Sequence, residues 1–309
     1  MKLTPYGFGA APIGNLYTAI TDEEATAAVD AAWDAGIRFF DTAPHYGLGL
    51  SERRLGDALR ERPRDEYAIS TKVGRLLVPG DGTGTDDQGF AVPNTLRRVW
   101  DFSRDGVRRS LEESLGRLGL TRVDLVLLHD PDDHWKEAVS EAYPALAELR
   151  DQGVVGAIGA GMNQWQMLAD LVRETDLDVV LLAGRYTLLD RSGEDVLLPL
   201  CRERGVSVVA GAVFNSGLLA RHDPGGTYNY GPVPPELLER AREIARVCER
   251  HGVTLPQAAM AFPLRHPAVA SVVIGMRSAG EVRQNMDLAA RPIPDALWAD
   301  LDALAASSS

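Results

Sequence analysis

IRFFDTAPHYGLGLSERRLGDALRERPRDEYAISTK, residues 37–72, opens and closes on short, mostly apolar runs with an amphipathic run between them. Ile37 to Asp41 and Tyr67 to Lys72 are too short for helices and apolar enough for burial on both faces, so they read as strands. Between them, Ser51 precedes a helix running to about Arg62, and Pro63 stops it. Strand, helix, strand in that order is the repeating unit of a parallel sheet.

The unit recurs along the whole chain. Further strand candidates are Tyr6 to Ala11, Val123 to His129, Val155 to Gly159, Asp178 to Leu182, Val206 to Ala210 and Ser271 to Ile274, which makes eight. The helices between them carry their own punctuation. Thr21 and Glu24 form a capping box ahead of a helix that ends before Gly36. Ser103 opens another helix, Gly153 follows one ending ALAELRDQ, and Pro235 starts a helix closed by Gly252. Eight strand-helix pairs with no Pro/Ser-rich linker and no shift in composition predict one closed (β/α)8 TIM barrel over residues 1–309, with an open doubly wound sheet as the alternative. Two connections, Val73 to Phe102 and Phe214 to Pro234, are long for this fold. They leave the ends of strands where barrel enzymes build their sites, so they read as loops covering a substrate, the first with few apolar anchors.

Composition narrows the class. Hydrophobic residues at 45% and charged residues at 25% describe a folded chain, not a disordered one. The net charge of −12 repels phosphate backbones and anionic lipid, which argues against nucleic acid and membrane partners. Cys201 and Cys248 fall in separate helix-like segments without metal-ligand spacing and read as reduced, buried thiols. The segment MKLTPYGFGAAPIGN has no apolar signal core, and no run approaches the ~20 apolar residues needed to span a bilayer, so a cytoplasmic monomer or small homo-oligomer is expected.

In a barrel, the ends of the second, third and fourth strands place Asp41, Lys72 and His129 around one mouth, with Tyr46 beyond a short turn containing Pro44. Singly, each has an ordinary structural role: a strand-end cap, half-buried packing, an outward-reaching amine, a satisfied core histidine. Together they suggest chemistry. Lysine occurs only at Lys2, Lys72 and Lys136, and one that ends an apolar strand needs a counter-charge, which Asp41 supplies. A charged Lys72 would favour the phenolate of Tyr46, whose free pKa is about 10.

The segment Gly36 to Gly56, with STKVG and LVLLHDPD following in order, resembles the signature of the aldo-keto reductase family, and the similarity extends over essentially the whole chain. Carried over by position, Asp41, Tyr46, Lys72 and His129 match that family's catalytic tetrad. The resemblance implies a tyrosine that moves a proton, a Lys/Asp pair that tunes it, and a histidine that orients the substrate oxygen while NAD or NADP takes or gives a hydride. No metal is needed for such chemistry. Where many members have Ser-Asn after the fifth strand, this chain has Gly161-Met162-Asn163, so Asn163 is the candidate for the nicotinamide amide. A tyrosine common after the seventh strand is absent. Phe214 is the candidate ring there, with Ser216, Gly217 and Leu218 meeting the pyrophosphate.

The runs GAGMNQW and AGAVFNSGLL resemble the branch of the family containing aldose 1-dehydrogenases. That branch implies oxidation of an aldose such as L-fucose at C1 to the lactone. His45, Trp100, Asp130 and His134 are then candidate contacts for sugar hydroxyls and ring face. Reduction of small aldehydes or ketones with NADPH is the alternative activity, and a cofactor-sensing regulatory subunit the alternative of another class. Gly275, Arg277, Glu281 and Asn285 lie where the family meets the adenosine end. Glu281 would repel a 2′-phosphate and accept from a free ribose hydroxyl, which favours NAD, whereas Arg277 and Arg283 favour NADP.

Overall fold

The computed structural model describes residues 3–228 and 231–307. Its strands, in chain order, are β1 (Tyr6–Gly9), β2 (Phe39–Asp41), β3 (Ala68–Val73), β4 (Arg75–Pro79), β5 (Leu96–Trp100), β6 (Val123–His129), β7 (Val155–Met162), β8 (Val179–Ala183), β9 (Ser207–Gly211), β10 (Thr227–Tyr228), β11 (Gly231–Pro232) and β12 (Val269–Gly275). Eight of them, β1, β2, β3, β6, β7, β8, β9 and β12, form a closed parallel barrel, and each overlaps a strand expected from the sequence. Because β1 pairs with β12 on one side and β2 on the other, no edge remains, and the open sheet is excluded.

Helix boundaries follow the local chemistry. Thr21 and Glu24 make both halves of a capping box at the helix Asp22–Asp34, and the Ser103 side chain accepts from the Gly106 N–H at the helix Arg104–Leu118. Each satisfies amides that a helix start leaves without an internal partner. The helix Leu50–Leu59 ends a few residues before the expected Arg62.

Strand alternation divides the barrel into two apolar layers. Phe39, Leu125, Leu127, Val179, Leu181, Val209 and Val273 fill the interior, while Phe8, Phe40, Ile69, Val126, Leu128 and Ile158 face outward under the helices. Interior space is limiting. A Cβ on Gly7 would stand 2.7 Å from the Phe39 ring, so the absence of a side chain on β1 admits the aromatic from β2.

Residues 73–102 depart from the expectation of a weakly anchored loop. β4 and β5 form an antiparallel hairpin in five-residue register, and Leu77, Phe90 and Val92 bury themselves against Leu48 in a separate apolar cluster. The missed signal is a pair of five-residue runs, RLLVP and LRRVW, flanking a Gly/Asp-rich stretch. The second long connection holds only the short pair β10 and β11. Cys201 and Cys248 are buried and free. Burial pushes both thiols up to about 12, so they stay protonated. Among the described residues no helix is long and apolar enough to cross a membrane.

Candidate active site

Asp41, Lys72 and His129 are the last inward-phase residues of β2, β3 and β6, and the turn after β2 carries Tyr46 to meet them. That turn is fixed by close backbone approach. Gly47 has φ +63°, and a Cβ there would stand 2.2 Å from the Gly14 carbonyl oxygen, while one on Gly14 would stand 2.9 Å from the Tyr46 carbonyl carbon. The following Ser51-Glu52 pair bolts the helix beneath. Ser51 donates to the Ala10 carbonyl at 2.7 Å and shares a hydrogen bond with Thr42 at 2.8 Å. Fully buried Glu52 accepts from Thr71 at 2.7 Å and from Arg117 at 2.6 Å.

Lys72 Nζ donates to Asp41 Oδ2 at 2.8 Å, to the Thr42 carbonyl at 3.0 Å and to Tyr46 Oη at 3.0 Å. Ser70 donates to the other Asp41 oxygen at 2.7 Å. With Lys72 only 2% exposed and Asp41 3% exposed, water contributes little here. Burial opposes the ammonium charge, but the Asp41 carboxylate and the Tyr46 oxygen outweigh it and hold the lysine pKa above its ordinary value. A permanent cation therefore touches the phenol oxygen. His129 is driven the other way: burial first, then Arg75 and Lys72, hold its pKa well below the usual imidazole value. Its ring lies 5.9 Å from that of Tyr46, and its buried Nδ1 has no hydrogen-bond partner among the described residues.

These groups open on a cavity of about 310 Å³, lined by Tyr46, Lys72 and His129 and also by His45, Asp130 and Asn163, with apolar walls from Leu16, Phe90, Met162 and Leu181. A more open cleft of about 500 Å³ lies outside the barrel, between Asp22, Arg53, Asp57 and Glu113. Two of its arginines are already held, Arg54 by Asp22 and Arg117 by Glu52, so the smaller, partly apolar cavity is the better ligand site.

Of the four expected sugar contacts, His45 and Asp130 line the cavity, whereas Trp100 and His134 do not. Trp100 stacks on Phe102 beside it, with the His134 ring tilted against both, and the Arg75 guanidinium lies 4.2 Å from the Trp100 ring. Sequence reasoning missed Arg75, Arg98 and Phe90. Arg75 bonds His45 Nδ1 at 3.0 Å and Asp130 Oδ2 at 2.5 Å, Arg98 donates to the His45 carbonyl at 2.7 Å, and Phe90 stacks on Tyr46 with centroids 6.1 Å apart. All three belong to residues 73–102, which the sequence pattern reads as a loop.

The expected cofactor residues follow other strand ends. Asn163 lies just beyond β7, exposed at the cavity wall. After β9 the chain turns through left-handed residues Ala212, Asn215, Ser216 and Gly217. Phe214 packs against the outer apolar layer and is absent from the cavity lining, and Leu218 is buried. The buried Oδ1 of Asn215 lacks a partner among the described residues, and a Cβ on Gly217 would meet nothing within 4 Å. An orphaned acceptor beside open backbone, with an amide at the cavity wall, fits a polar ligand such as a dinucleotide. Gly275 ends β12, and Asn285 is partly buried in the helix Ala279–Ala289. Glu281 lies in the first turn of that helix. It accepts from the Arg277 N–H at 2.9 Å and from Arg277 Nε at 2.8 Å, a carboxylate at a position the helix dipole favours paired with a cation four residues before it.

The sequence profile described as the Aldo/keto reductase family matches residues 5–306. The chain is 51% identical to D-threo-aldose 1-dehydrogenase of a Pseudomonas species, over 97% of this chain and 94% of the relative. It is 41% identical to pyridoxal 4-dehydrogenase of Microbacterium luteolum, over 97% and 94%. Among solved structures, a glycerol dehydrogenase from Gluconobacter oxydans superposes with a TM-score of 0.78 at 25% identity, covering 99% of this chain and 92% of that one.

Proposed function

Since the chain belongs to the aldo/keto reductase family and is thus a nicotinamide-dependent oxidoreductase, we propose that it oxidises an aldose at C1, with Tyr46 taking the proton. The observation that carries this is Lys72 Nζ at 3.0 Å from the Tyr46 oxygen and 2.8 Å from Asp41. A cation held by a buried carboxylate stabilises phenolate over phenol, which suits Tyr46 to accept a proton near neutral pH. The 51% identity to an aldose dehydrogenase supports a sugar as substrate.

In the oxidative direction the C1 hydroxyl of the cyclic sugar loses its proton to the Tyr46 oxygen and C1 loses a hydride, which converts the hemiacetal to a lactone. A nicotinamide, when bound, supplies the hydride acceptor. His129, neutral and buried, orients the substrate oxygen and shares the charge that develops there. Asn163, Ser216, Gly217 and Leu218 would hold the cofactor, with Phe214 as backing. Glu281 holds Arg277 Nε and offsets its charge, which supports NAD over NADP. L-fucose is one member of the aldose class to be tried.

Turnover of a panel of aldoses, L-fucose and D-threo-aldoses included, is the test, with NAD and NADP each followed at the reduced-nicotinamide absorbance. Lactone formation with kcat/KM well above that for simple alcohols is expected. Reduction of small aldehydes with no aldose oxidised would replace this reading with the reductase one.

A further inference from the structure

We propose that Arg75 is a positioning residue that fixes His45 as the tautomer carrying its proton on Nε2 and, with Asp130, builds a donor–acceptor pair for adjacent hydroxyls of the substrate. The hydroxyl half rests on the aldose reading above; the tautomer half does not.

Arg75 opens β4 directly after Gly74, whose φ of +105° turns the chain out of β3. Its side chain is 10% exposed and reaches two elements at once, His45 Nδ1 at 3.0 Å and Asp130 Oδ2 at 2.5 Å. A guanidinium only donates hydrogen bonds, so Nδ1 must accept, and a neutral imidazole that accepts there carries its hydrogen on Nε2. The surroundings keep His45 neutral. Burial, then Arg75, Arg98 and Lys72, push its pKa down to about 2. These cations face it from β4, β5 and β3, while the rings of Tyr46, Phe90 and His129 close the remaining sides at 5.9, 5.3 and 5.5 Å. Asp86 reaches Arg98 rather than His45.

Asp130 adopts φ +44°, an unfavourable backbone region that aspartate tolerates better than most residues. Arg75 takes its Oδ2, and no hydrogen bond among the described residues uses Oδ1 or His45 Nε2. Both residues line the cavity. One N–H donor beside one carboxylate acceptor complements a pair of neighbouring hydroxyls, each of which both donates and accepts. The cations Lys72, Arg75 and Arg98 are matched by Asp41, Asp130 and Asp86, so the cavity favours an uncharged polyol over a sugar phosphate or acid.

Long-range proton–nitrogen NMR on 15N-histidine protein, with the His45 signal assigned by its loss in His45→Asn, tests the tautomer without any substrate. Nδ1 should be unprotonated, Nε2 protonated, and the ring should not titrate between pH 5 and 8. Kinetics form the second arm. Arg75→Met should raise KM for the preferred aldose by about tenfold, with kcat changed several-fold less and a smaller penalty on an aldehyde lacking neighbouring hydroxyls. Arg75→Lys, which keeps the charge but cannot span both partners, should fall between. A wild-type His45 protonated on Nδ1, or titrating near 6.5, would overturn the positioning role whether or not an aldose is turned over. Equal losses on hydroxylated and hydroxyl-free substrates would overturn the recognition role.

Discussion

At the scale of single residues, the proposed chemistry rests on one oxygen and one cation. Tyr46→Phe removes the oxygen and little else, so kcat should fall roughly 100- to 10,000-fold while cofactor affinity, followed by fluorescence titration, stays within about threefold. A variant that retains near-native kcat sinks the proton-transfer role. Lys72→Met removes the charge that favours phenolate, and the phenol then holds its proton toward its free pKa of about 10. The rising limb of the oxidation pH profile should move to higher pH by one unit or more; an unmoved profile with high activity would uncouple the two residues. Glu281→Gln should weaken the grip on Arg277 and improve kcat/KM for NADP relative to NAD by about tenfold, roughly 1.4 kcal/mol. An unchanged ratio would show that Arg277 does not meet the 2′ position.

At the scale of elements, the β4–β5 hairpin is both a wall of the cavity and a packed substructure. Phe90 is 4% exposed and contacts the rings of Tyr46 and His45. Phe90→Ala should therefore cost about 3 kcal/mol of stability and raise KM together with it. Removing the exposed tip, residues 81–84, should leave the melting temperature within a degree or two, since those residues contribute no buried apolar surface. Comparable losses from both changes would mean that the hairpin folds as one weak unit. The turn carrying Tyr46 is as sensitive: Gly47→Ala forces a Cβ against the Gly14 carbonyl, with an expected cost of roughly 1–3 kcal/mol and a displaced phenol.

At the scale of the whole molecule, His45 and His129 link the cavity to global stability. Both are neutral in the fold with pKa values below 6.5, whereas in the unfolded chain they bind protons as pH falls through about 6.5. The unfolded state then holds more protons, so the stability they contribute is full above 6.5 and declines below it, toward about 2 for His45. Each histidine adds a slope of roughly 1.4 kcal/mol per pH unit in the range where only the unfolded form is charged. Denaturant unfolding of wild type and His45→Gln between pH 5 and 7 should show the variant flatter by about one proton. Parallel curves would mean that His45 titrates alike in both states.

What sequence alone determined was what depends on local periodicity and on residues near one another in the chain: eight strands, the capped helices, and the inward phase that ends three strands on Asp41, Lys72 and His129. Alternation with a period of two survives any detail of packing, and the Asp-Thr-Ala-Pro-His-Tyr turn lies on one stretch of chain. Tertiary structure alone decided that residues 73–102 fold back as a hairpin, and that Arg75 bridges His45 and Asp130 across separations of 30 and 55 residues. Side-chain partnership depends on which distant backbone arrives within hydrogen-bond range, and in a closed barrel that is set by strand register and loop packing, not by spacing along the chain.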